Sequence, residues 1–320
     1  MSKPINLALL GCGFASRLHG KTLRHFKREV RPFFASRDLA RAEEYNRRFG
    51  GAGAFGSYEA ALASPNVDAV LIATPPDSHL ELTLRALDAG KDVIVEKPPF
   101  LRAADFDAVE QAQVRTGRRV FVAENYFYKP LVQRLRKLLA DGAIGEPRIL
   151  AVNALKRQDT GDWRDREEVA GGGALFEGGI HWVNFMANLG LDVAATHGFR
   201  PGARGGPERT MVAVFEYQGG AVGTLYYSWE IDAPLKGLRL SKIFGTEGSI
   251  TFESNGLFLL VRGTRKRLTI PEPSDLLGYR GMFQDFFGAL RSGTEPAFTL
   301  AHARKDMQLL EEIYRSAERP

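Results

Sequence analysis

The fold is decided near the start of the chain, by the stretch Ile5-Asn6-Leu7-Ala8-Leu9-Leu10-Gly11-Cys12-Gly13-Phe14-Ala15-Ser16. A short apolar strand runs into a G-x-G turn and then into a helix. Gly11 permits the tight turn, Gly13 lets the backbone approach a pyrophosphate, and the helix directs its free N–H groups at that anion. Ser16 replaces the third glycine of the usual fingerprint and is small enough for close helix packing. The stretch therefore predicts a dinucleotide-binding turn.

Strands and helices alternate over the first 124 residues. The predicted strands after the first are Val30–Ser36, Val67–Ala73, Asp92–Glu96 and Val120–Ala123. The predicted helices are Asp38–Phe49, His79–Ala89 and Arg102–Thr116. Apolar strands separated by amphipathic helices are typical of a parallel sheet covered on both faces. We expect residues 1–124 to form a doubly wound α/β domain, a Rossmann sheet.

The second half of the chain has a different pattern. Its predicted strands are Arg148–Leu155, Thr210–Glu216, Ala221–Ser228, Leu238–Phe244, Ile250–Glu253 and Leu257–Val261. Gly219-Gly220 and Asn255-Gly256 are typical of two-residue hairpins. Helices are expected at Ala174–Asn188, Met282–Arg291 and His302–Ser316. Residues 125–320 should form an α+β domain with a mainly antiparallel open sheet.

Composition excludes several classes of protein. Of the 320 residues, 44% are hydrophobic and 25% charged, with a net charge of +5. The basic residues are spread along the chain, which argues against nucleic-acid binding. Cys12 is the single cysteine, so neither an intrachain disulfide nor a zinc cluster can form, and we expect no metal. The absence of a signal peptide and of a bilayer-spanning apolar run predicts a cytoplasmic protein without membrane contact.

The end of the second strand indicates which dinucleotide binds. NAD-binding sheets usually carry an acid there, to bond the ribose hydroxyls. This chain has Ser36 and Arg37, and a guanidinium next to a hydroxyl suits the 2′-phosphate of NADP. The rival interpretation makes Asp38 the ribose-binding acid, although its position suggests a helix N-cap. We therefore predict NADP, with NAD possible.

Two further segments carry chemistry. Val93-Ile94-Val95-Glu96-Lys97-Pro98 puts a lysine just past the carboxyl end of a parallel strand, the edge at which such sheets bind ligands. Gly171-Gly172-Gly173-Ala174-Leu175-Phe176-Glu177-Gly178-Gly179-Ile180-His181 opens a helix with glycines and places Glu177 and His181 four residues apart on one face. An imidazole can exchange a proton at neutral pH, and an ammonium can stabilise an alkoxide. Both groups suit hydride transfer between an alcohol and a carbonyl.

Together with Ala73-Thr74-Pro75-Pro76-Asp77-Ser78-His79 and Gly245-Thr246-Glu247-Gly248-Ser249, these segments resemble the glucose–fructose oxidoreductase / inositol dehydrogenase (Gfo/Idh/MocA) family over essentially the whole chain. The resemblance implies that Lys97 holds the substrate oxygen beside the nicotinamide and that His181 is the catalytic histidine. Glu177 falls where the family usually has Asp, and Asn184 where a second Asp is common. These two departures put the substrate in doubt.

The resemblance and the residues together define the expected sites. The expected catalytic residues are Lys97, His181 and Glu177. The expected cofactor-binding residues are Gly11, Gly13, Phe14, Ala15, Ser36, Arg37, Thr74, Pro75, His79, Glu96, Lys97 and Asn125. The expected substrate-binding residues are Lys97, Trp163, Arg164, Glu177 and His181.

The sequence thus predicts an NADP-dependent oxidoreductase acting on a sugar, a cyclitol or a related hydroxyl or carbonyl compound. Two alternatives stay open: a glycoside hydrolase of the same family that retains its NAD, and a nucleotide-sensing regulator without catalysis. Intact Lys97 and His181 argue against the regulator, which needs neither. An open antiparallel sheet with one uncovered face also favours a homodimer or homotetramer formed through that sheet.

Overall fold

The computed structural model describes residues 3–161, 164, 166–202, 206–232, 237–263, 266–270 and 273–318. The chain divides into two units. The first comprises Met1–Ala123 and Met282–Arg304, and the second comprises Glu124–Gly281 and Lys305–Pro320. The sequence analysis divided the chain once, after residue 124, whereas the structure groups the segment Met282–Arg304 with the first unit.

A parallel sheet forms the centre of the first unit. Its strands are β1 (Ile5–Leu10), β2 (Val30–Ala35), β3 (Gly53–Phe55), β4 (Ala69–Ile72), β5 (Asp92–Glu96) and β6 (Val120–Ala123). They lie in the order β3-β2-β1-β4-β5-β6. The order reverses between β1 and β4, and doubly wound sheets bind ligands at the carboxyl ends of the strands beside such a reversal. The predicted doubly wound fold is confirmed.

Five helices belong to the same part of the chain: α1 (Phe14–Leu23), α2 (Leu39–Phe49), α3 (Tyr58–Ala63), α4 (His79–Asp88) and α5 (Asp105–Thr116). Local sequence sets where several of them begin and end. The Asp38 carboxylate accepts the N–H groups of Ala40 and Arg41 at the start of α2, and Gly50 ends that helix in the left-handed conformation. The sequence analysis did not assign β3 and α3, which are three and six residues long.

The second unit contains an eight-stranded sheet. Its strands are β7 (Pro147–Leu155), β8 (Val193–Phe199), β9 (Thr210–Tyr217), β10 (Val222–Ser228), β11 (Leu240–Gly245), β12 (Ser249–Glu253), β13 (Leu259–Arg262) and β14 (Arg267–Thr269). Their order is β14-β13-β12-β11-β7-β10-β9-β8, and every pair is antiparallel except β7 with β10. The mainly antiparallel sheet is confirmed. Both predicted hairpins are present, but their connections, residues 218–221 and 254–258, are longer than the two residues expected.

The remaining helices are α6 (Pro130–Ala140), α7 (Glu167–Ala170), α8 (Ile180–Ala187), α9 (Tyr279–Ser292) and α10 (Leu300–Ala317). The predicted helix at 174–188 begins with a π-helical turn, Leu175–Gly179, which leads directly into α8. One face of the second sheet is buried: Leu150, Val152, Leu225 and Ile243 have no solvent exposure. Within the described ranges, none of the helices has both the length and the apolar composition needed to cross a bilayer.

Candidate active site

The dinucleotide turn lies at the carboxyl end of β1. Gly11 has a φ of +103°, and a Cβ at this position would lie 2.7 Å from the carbonyl oxygen of Ala73. A side chain there would therefore be strained and would clash with the end of the next strand. The Ser16 hydroxyl donates to the Gly11 carbonyl at 2.5 Å, which ties the first turn of α1 to the loop. Ser16 therefore contributes a hydrogen bond in place of the third glycine.

The start of α1 fits a pyrophosphate. Gly13 is the N-cap residue, and it has no side chain that could bond the free N–H groups of the first turn. A Cβ at Gly13 would have no heavy atom of the described residues within 4 Å, so the backbone is open to approach. The carbonyl of Cys12 accepts from Arg41 Nε at 2.7 Å, and that of Gly13 from the Tyr45 hydroxyl at 3.1 Å. The turn thus offers donors at its open side, as a dinucleotide phosphate requires.

Two predicted cofactor-binding residues follow Gly13. The Phe14 ring is 60% exposed, and the guanidinium of Arg17 lies 5.2 Å from its centroid. Ala15 is half-buried in the first turn of α1. Their backbone N–H groups belong to the helix N-terminus, while the exposed ring of Phe14 adds an apolar surface beside the turn.

The end of β2 separates the two interpretations of the cofactor. The Asp38 carboxylate accepts from Ala40 N–H at 3.0 Å, so it acts as the N-cap of α2. Ser36 is buried, and its hydroxyl accepts the N–H of Asp38 at 3.2 Å. Arg37 is exposed, and Arg41 of α2 reaches the turn through its bond to Cys12. Arg37 therefore follows the strand, and Arg41 bonds the turn, where an NAD-binding sheet would carry an acid.

The loop after β4 contains Thr74, Pro75 and His79. His79 is 1% exposed and lies within 2.9 Å of the carbonyls of Thr74 and Pro98. Burial lowers its pKa, so the neutral ring donates to one of these carbonyls. Thr74 and Pro75 are half-buried, and the Thr74 hydroxyl accepts from Ser78 at 2.7 Å. The buried side chain of His79 thus bonds the backbone of the loop, whereas Thr74 and Pro75 lie closer to the protein surface.

Lys97 follows directly after β5 and is held by its neighbour Glu96. One carboxylate oxygen of Glu96 accepts the N–H of Lys97 at 3.0 Å. The other oxygen bonds Nε2 of His19 at 2.5 Å, and His19 is fully buried in α1. Sequence reasoning missed His19. Its position in α1 indicates only a buried face of that helix, so its bond to Glu96 at the end of β5 could be found only from the structure.

His181 lies in the first turn of α8 and contacts a carboxylate that the sequence analysis did not select. Its Nδ1 lies 2.7 and 2.9 Å from the two oxygens of Glu124, whose side chain is 3% exposed. A buried carboxylate at Nδ1 fixes the tautomer and leaves Nε2 for proton exchange. Glu124 follows β6 as Lys97 follows β5. The same argument from strand ends could therefore have found it.

A short 3₁₀ turn, Asn125–Tyr128, continues from Glu124. Asn125 donates its side-chain amide to the carbonyl of Leu277 at 2.6 Å. Tyr126 stacks on the imidazole of His181, with ring centroids 4.4 Å apart and planes 10° from parallel. The Nζ of Lys129, a residue that is 1% exposed, lies 4.2 Å from the centroid of the same tyrosine ring.

The glycine run before His181 allows a close approach between two segments. A Cβ at Gly173 would overlap the carboxylate of Glu208. That carboxylate accepts the Leu175 N–H at 2.7 Å and the Tyr314 hydroxyl at 2.8 Å. Glu208 thereby caps the π turn that leads to His181. Burial raises its pKa, and the two donors oppose this effect.

Glu177 lies inside the π turn and is buried. Its carboxylate accepts from Arg164 Nε at 3.3 Å, so two of the predicted substrate-binding residues form an ion pair. π turns are frequent at functional sites. Trp163, the third predicted member of this group, lies outside the described residues.

Asn184, the other departure from the family pattern, lies on α8 with no exposed surface. Its amide donates to Asp306 at 2.7 Å, and Asn188 donates to the other oxygen of Asp306 at 3.2 Å. Burial raises the pKa of Asp306 to about 8. Asp306 lies on α10, and Asn184 holds its carboxyl group by a hydrogen bond.

Comparison with known proteins follows the same division of the chain. Residues 5–124 match the model of the Gfo/Idh/MocA oxidoreductase family with its NAD-binding Rossmann fold. Residues 132–251 match the model of a C-terminal domain from the same family. In the part of the chain that the structure describes, no group of three or more His, Cys, Asp or Glu side chains could hold a metal ion.

Individual relatives cover most of the chain. An oxidoreductase of Rhizobium meliloti is 31% identical over 89% of this chain and 88% of its own. The trans-1,2-dihydrobenzene-1,2-diol dehydrogenase of Oryctolagus cuniculus is 29% identical over 87% of this chain and 88% of its own. The solved structure of a levoglucosan dehydrogenase with NADH and levoglucosan has a TM-score of 0.86 at 23% identity, covering 98% of this chain and 97% of that one.

Proposed function

Because the chain belongs to the Gfo/Idh/MocA family of oxidoreductases, we propose that it is an NADP-dependent dehydrogenase or reductase that interconverts a ring hydroxyl and a ring carbonyl of a sugar-like compound. The observation that carries this proposal is the pair formed by the buried carboxylate of Glu124 and the half-buried imidazole of His181. Such a pair is suited to proton exchange with a substrate oxygen.

His181 acts as the general base in alcohol oxidation and as the general acid in carbonyl reduction. The Glu124 carboxylate accepts a hydrogen bond from Nδ1–H, so Nε2 is the atom that exchanges a proton with the substrate. The carboxylate also stabilises the imidazolium that forms when the substrate hydroxyl loses its proton. Glu177 and Arg164, as an ion pair, supply a carboxylate and a guanidinium for binding substrate hydroxyls.

Lys97 stabilises negative charge on the substrate oxygen. An ammonium that donates a hydrogen bond to a developing alkoxide lowers the barrier in either direction. Glu96 bonds the backbone N–H of Lys97 and is itself held by His19, so the backbone that carries this lysine is fixed on both sides. Glu96 and Lys97 therefore act as a rigid unit at the end of β5.

When bound, the nicotinamide cofactor supplies the hydride acceptor or donor. The residues that would hold it are the open turn at Gly11 and Gly13, with the first-turn N–H groups of Phe14 and Ala15 for the pyrophosphate. Further contacts are expected from Thr74, Pro75, Glu96 and Asn125.

The preference for NADP is supported by the geometry after β2. Asp38 is engaged as an N-cap, Ser36 and Arg37 directly follow β2, and Arg41 bonds the carbonyl of Cys12 in the turn. Guanidiniums form strong charge-assisted bonds to phosphate oxygens. Arg41 was not selected from the sequence, because its distance from the turn becomes short only when α2 packs against β2 and α1.

The substrate class is inferred from the relatives and from the polar groups of the second unit. One relative is named for a dihydrobenzene-diol and a structural neighbour for levoglucosan. Both of these compounds carry hydroxyls on neighbouring ring atoms, so we expect a cyclic polyhydroxy compound. The Arg164–Glu177 pair suits adjacent hydroxyls, because it offers a donor and an acceptor side by side.

We also infer self-association through the second sheet. Its outward face exposes apolar side chains on neighbouring strands: Ile149 on β7, Val222 and Tyr226 on β10, and Phe244 on β11 are 40–54% exposed. Val222 and Phe244 both pair with Ile149, so the patch is continuous across three strands. A continuous apolar face of this kind fits a second copy of the chain better than solvent.

Two measurements test the proposal. A panel of sugars, inositols and cyclic vicinal diols is screened for absorbance change with NADP⁺ and with NAD⁺ in parallel, and turnover of at least one class is expected. Titration of both cofactors by fluorescence should show tighter binding of NADPH than NADH. Arg37→Ala and Arg41→Ala should each narrow that gap by about 1–3 kcal/mol, with Arg48→Ala as the matched control on α2. Equal affinities in the parent protein would refute the NADP preference.

A further inference from the structure

Lys129 is a buried lysine of the second unit. It is 1% exposed, and its Nζ lies over the ring of Tyr126 at 4.2 Å from the centroid. That ring is stacked on His181 with a centroid distance of 4.4 Å. One ring therefore joins a buried ammonium to the proposed general base.

Both contacts are maintained by the local fold. Glu124, Tyr126 and Lys129 lie within six consecutive residues around the 3₁₀ turn, and the Glu124 carboxylate accepts the N–H of Tyr126 at 2.9 Å. The backbone N–H of Lys129 bonds the Tyr126 carbonyl at 3.1 Å. One turn of backbone thus carries the carboxylate, the ring and the ammonium.

We propose that Lys129 is a positioning residue for the proton-transfer chemistry of His181: its buried ammonium opposes protonation of the imidazole and balances the effect of Glu124. This inference rests on the proposed function for its consequence in catalysis, but its effect on the imidazole can be measured without substrate. Glu124 alone would raise the pKa of the imidazole, so that most rings would already be protonated at neutral pH and could not accept the substrate proton.

Other titratable groups of the second unit that the structure describes have opposing partners or are kept neutral. Glu177 is paired with Arg164. Arg239 and Glu253 act on Lys129 with opposite sign and share the partner Asn255. Asp306 is kept largely protonated at neutral pH, because burial raises its pKa to about 8. The buried phenols Tyr126 and Tyr227 are neutral, since burial raises the pKa of each. Glu124, by contrast, contacts the imidazole directly, and Lys129 contacts the ring that is stacked on it.

The size of the effect follows from the two distances. The path from Nζ to the imidazole through the tyrosine centroid joins 4.2 Å and 4.4 Å, so the charges are less than about 9 Å apart. At that separation, with an effective dielectric constant of about 20, two like charges shift each other's pKa by about one unit. Burial lowers the pKa of Lys129 itself to about 8, so the ammonium is mostly charged at pH 7.

The test is an NMR titration of His181 in the intact protein with labelled histidine, the resonance being assigned by its loss in His181→Gln. We expect Lys129→Met to raise the pKa of His181 by about one unit and Lys129→Arg, which keeps the charge, to leave it unchanged. Tyr126→Phe is the matched control: it keeps the ring that contacts His181 and Lys129, so we expect the pKa of His181 to stay unchanged. If Lys129→Met does not fold, Lys129→Gln replaces it.

The pH dependence of kcat gives the second readout. In alcohol oxidation the acid limb should move upward by the same amount in Lys129→Met, while KM for the cofactor stays constant. A folded Lys129→Met or Lys129→Gln protein in which the pKa of His181 is unchanged or lowered would overturn the inference. A raised pKa together with full turnover in His181→Gln would support the inference and refute the proposed catalytic role of His181.

Discussion

Replacing Glu124 by Gln tests whether the carboxylate behind His181 acts through its charge. The two carboxylate oxygens lie 2.7 and 2.9 Å from Nδ1, and the side chain is 3% exposed. An opposite charge at such a distance from a buried group changes its pKa by about 1–3 units. Gln keeps the shape and can still accept the Nδ1 proton through its amide oxygen, so tautomer and ring orientation are retained while the charge is lost.

We therefore expect Glu124→Gln to lower the pKa of His181 by at least one unit and to lower turnover by about ten- to a hundredfold, because a weaker base removes the substrate proton less readily. Since alcohol oxidation needs the neutral imidazole, the acid limb of its pH–rate profile should move to lower pH. The measurements are kcat against pH and the NMR titration of His181.

The control for this variant is Asp107→Asn, which removes an exposed carboxylate on α5 and should leave both readouts unchanged. If Glu124→Gln folds and neither the pKa of His181 nor the turnover changes, the carboxylate is not an electrostatic partner of the imidazole. The mechanism would then lose its main support in the second unit.

Four further outcomes are expected. Lys97→Met should lower turnover by about 10²–10⁴-fold and weaken NADPH binding far less, and parent-like turnover would exclude the lysine from the chemistry. Gly11→Ala should weaken cofactor binding measured by fluorescence at least tenfold, because its Cβ would clash with Ala73, and unchanged affinity would contradict the assigned turn. Burial raises the pKa of Asp306 from 3.8 to about 8, so the folded state keeps a proton that the unfolded chain loses, and the free energy of unfolding should fall as the pH rises from about 4 to 8. The urea midpoint of Asp306→Asn should therefore depend less on pH than that of the parent protein. An equal pH dependence in the two proteins would refute this. Tyr226→Lys should lower the molar mass measured by light scattering, and an unchanged mass would argue against an interface at this sheet face.

Local patterns were sufficient wherever neighbours in sequence determine the structure. The G-x-G turn, the apolar strands of the first unit and the two hairpin turns were all predicted, because each depends on side chains within a few residues. Helix α6 was not assigned, although Leu131, Val132, Leu135 and Leu138 are its buried residues and repeat at helical spacing. Its signal was present in the sequence. The short strand β3 carries no comparable pattern, since three residues at a sheet edge are stabilised by pairing with β2.

The sequence by itself determined the fold class, the family and the residue types that carry the chemistry, because strand ends, glycine turns and hydrophobic periodicity are local properties of the chain. Only the tertiary structure decided which groups are partners. It paired His181 with Glu124, Glu177 with Arg164, and Glu96 with His19. Each partner is separated from the other by 13 to 77 residues, and hydrogen bonding depends on distances of a few tenths of an ångström that no spacing along the chain encodes.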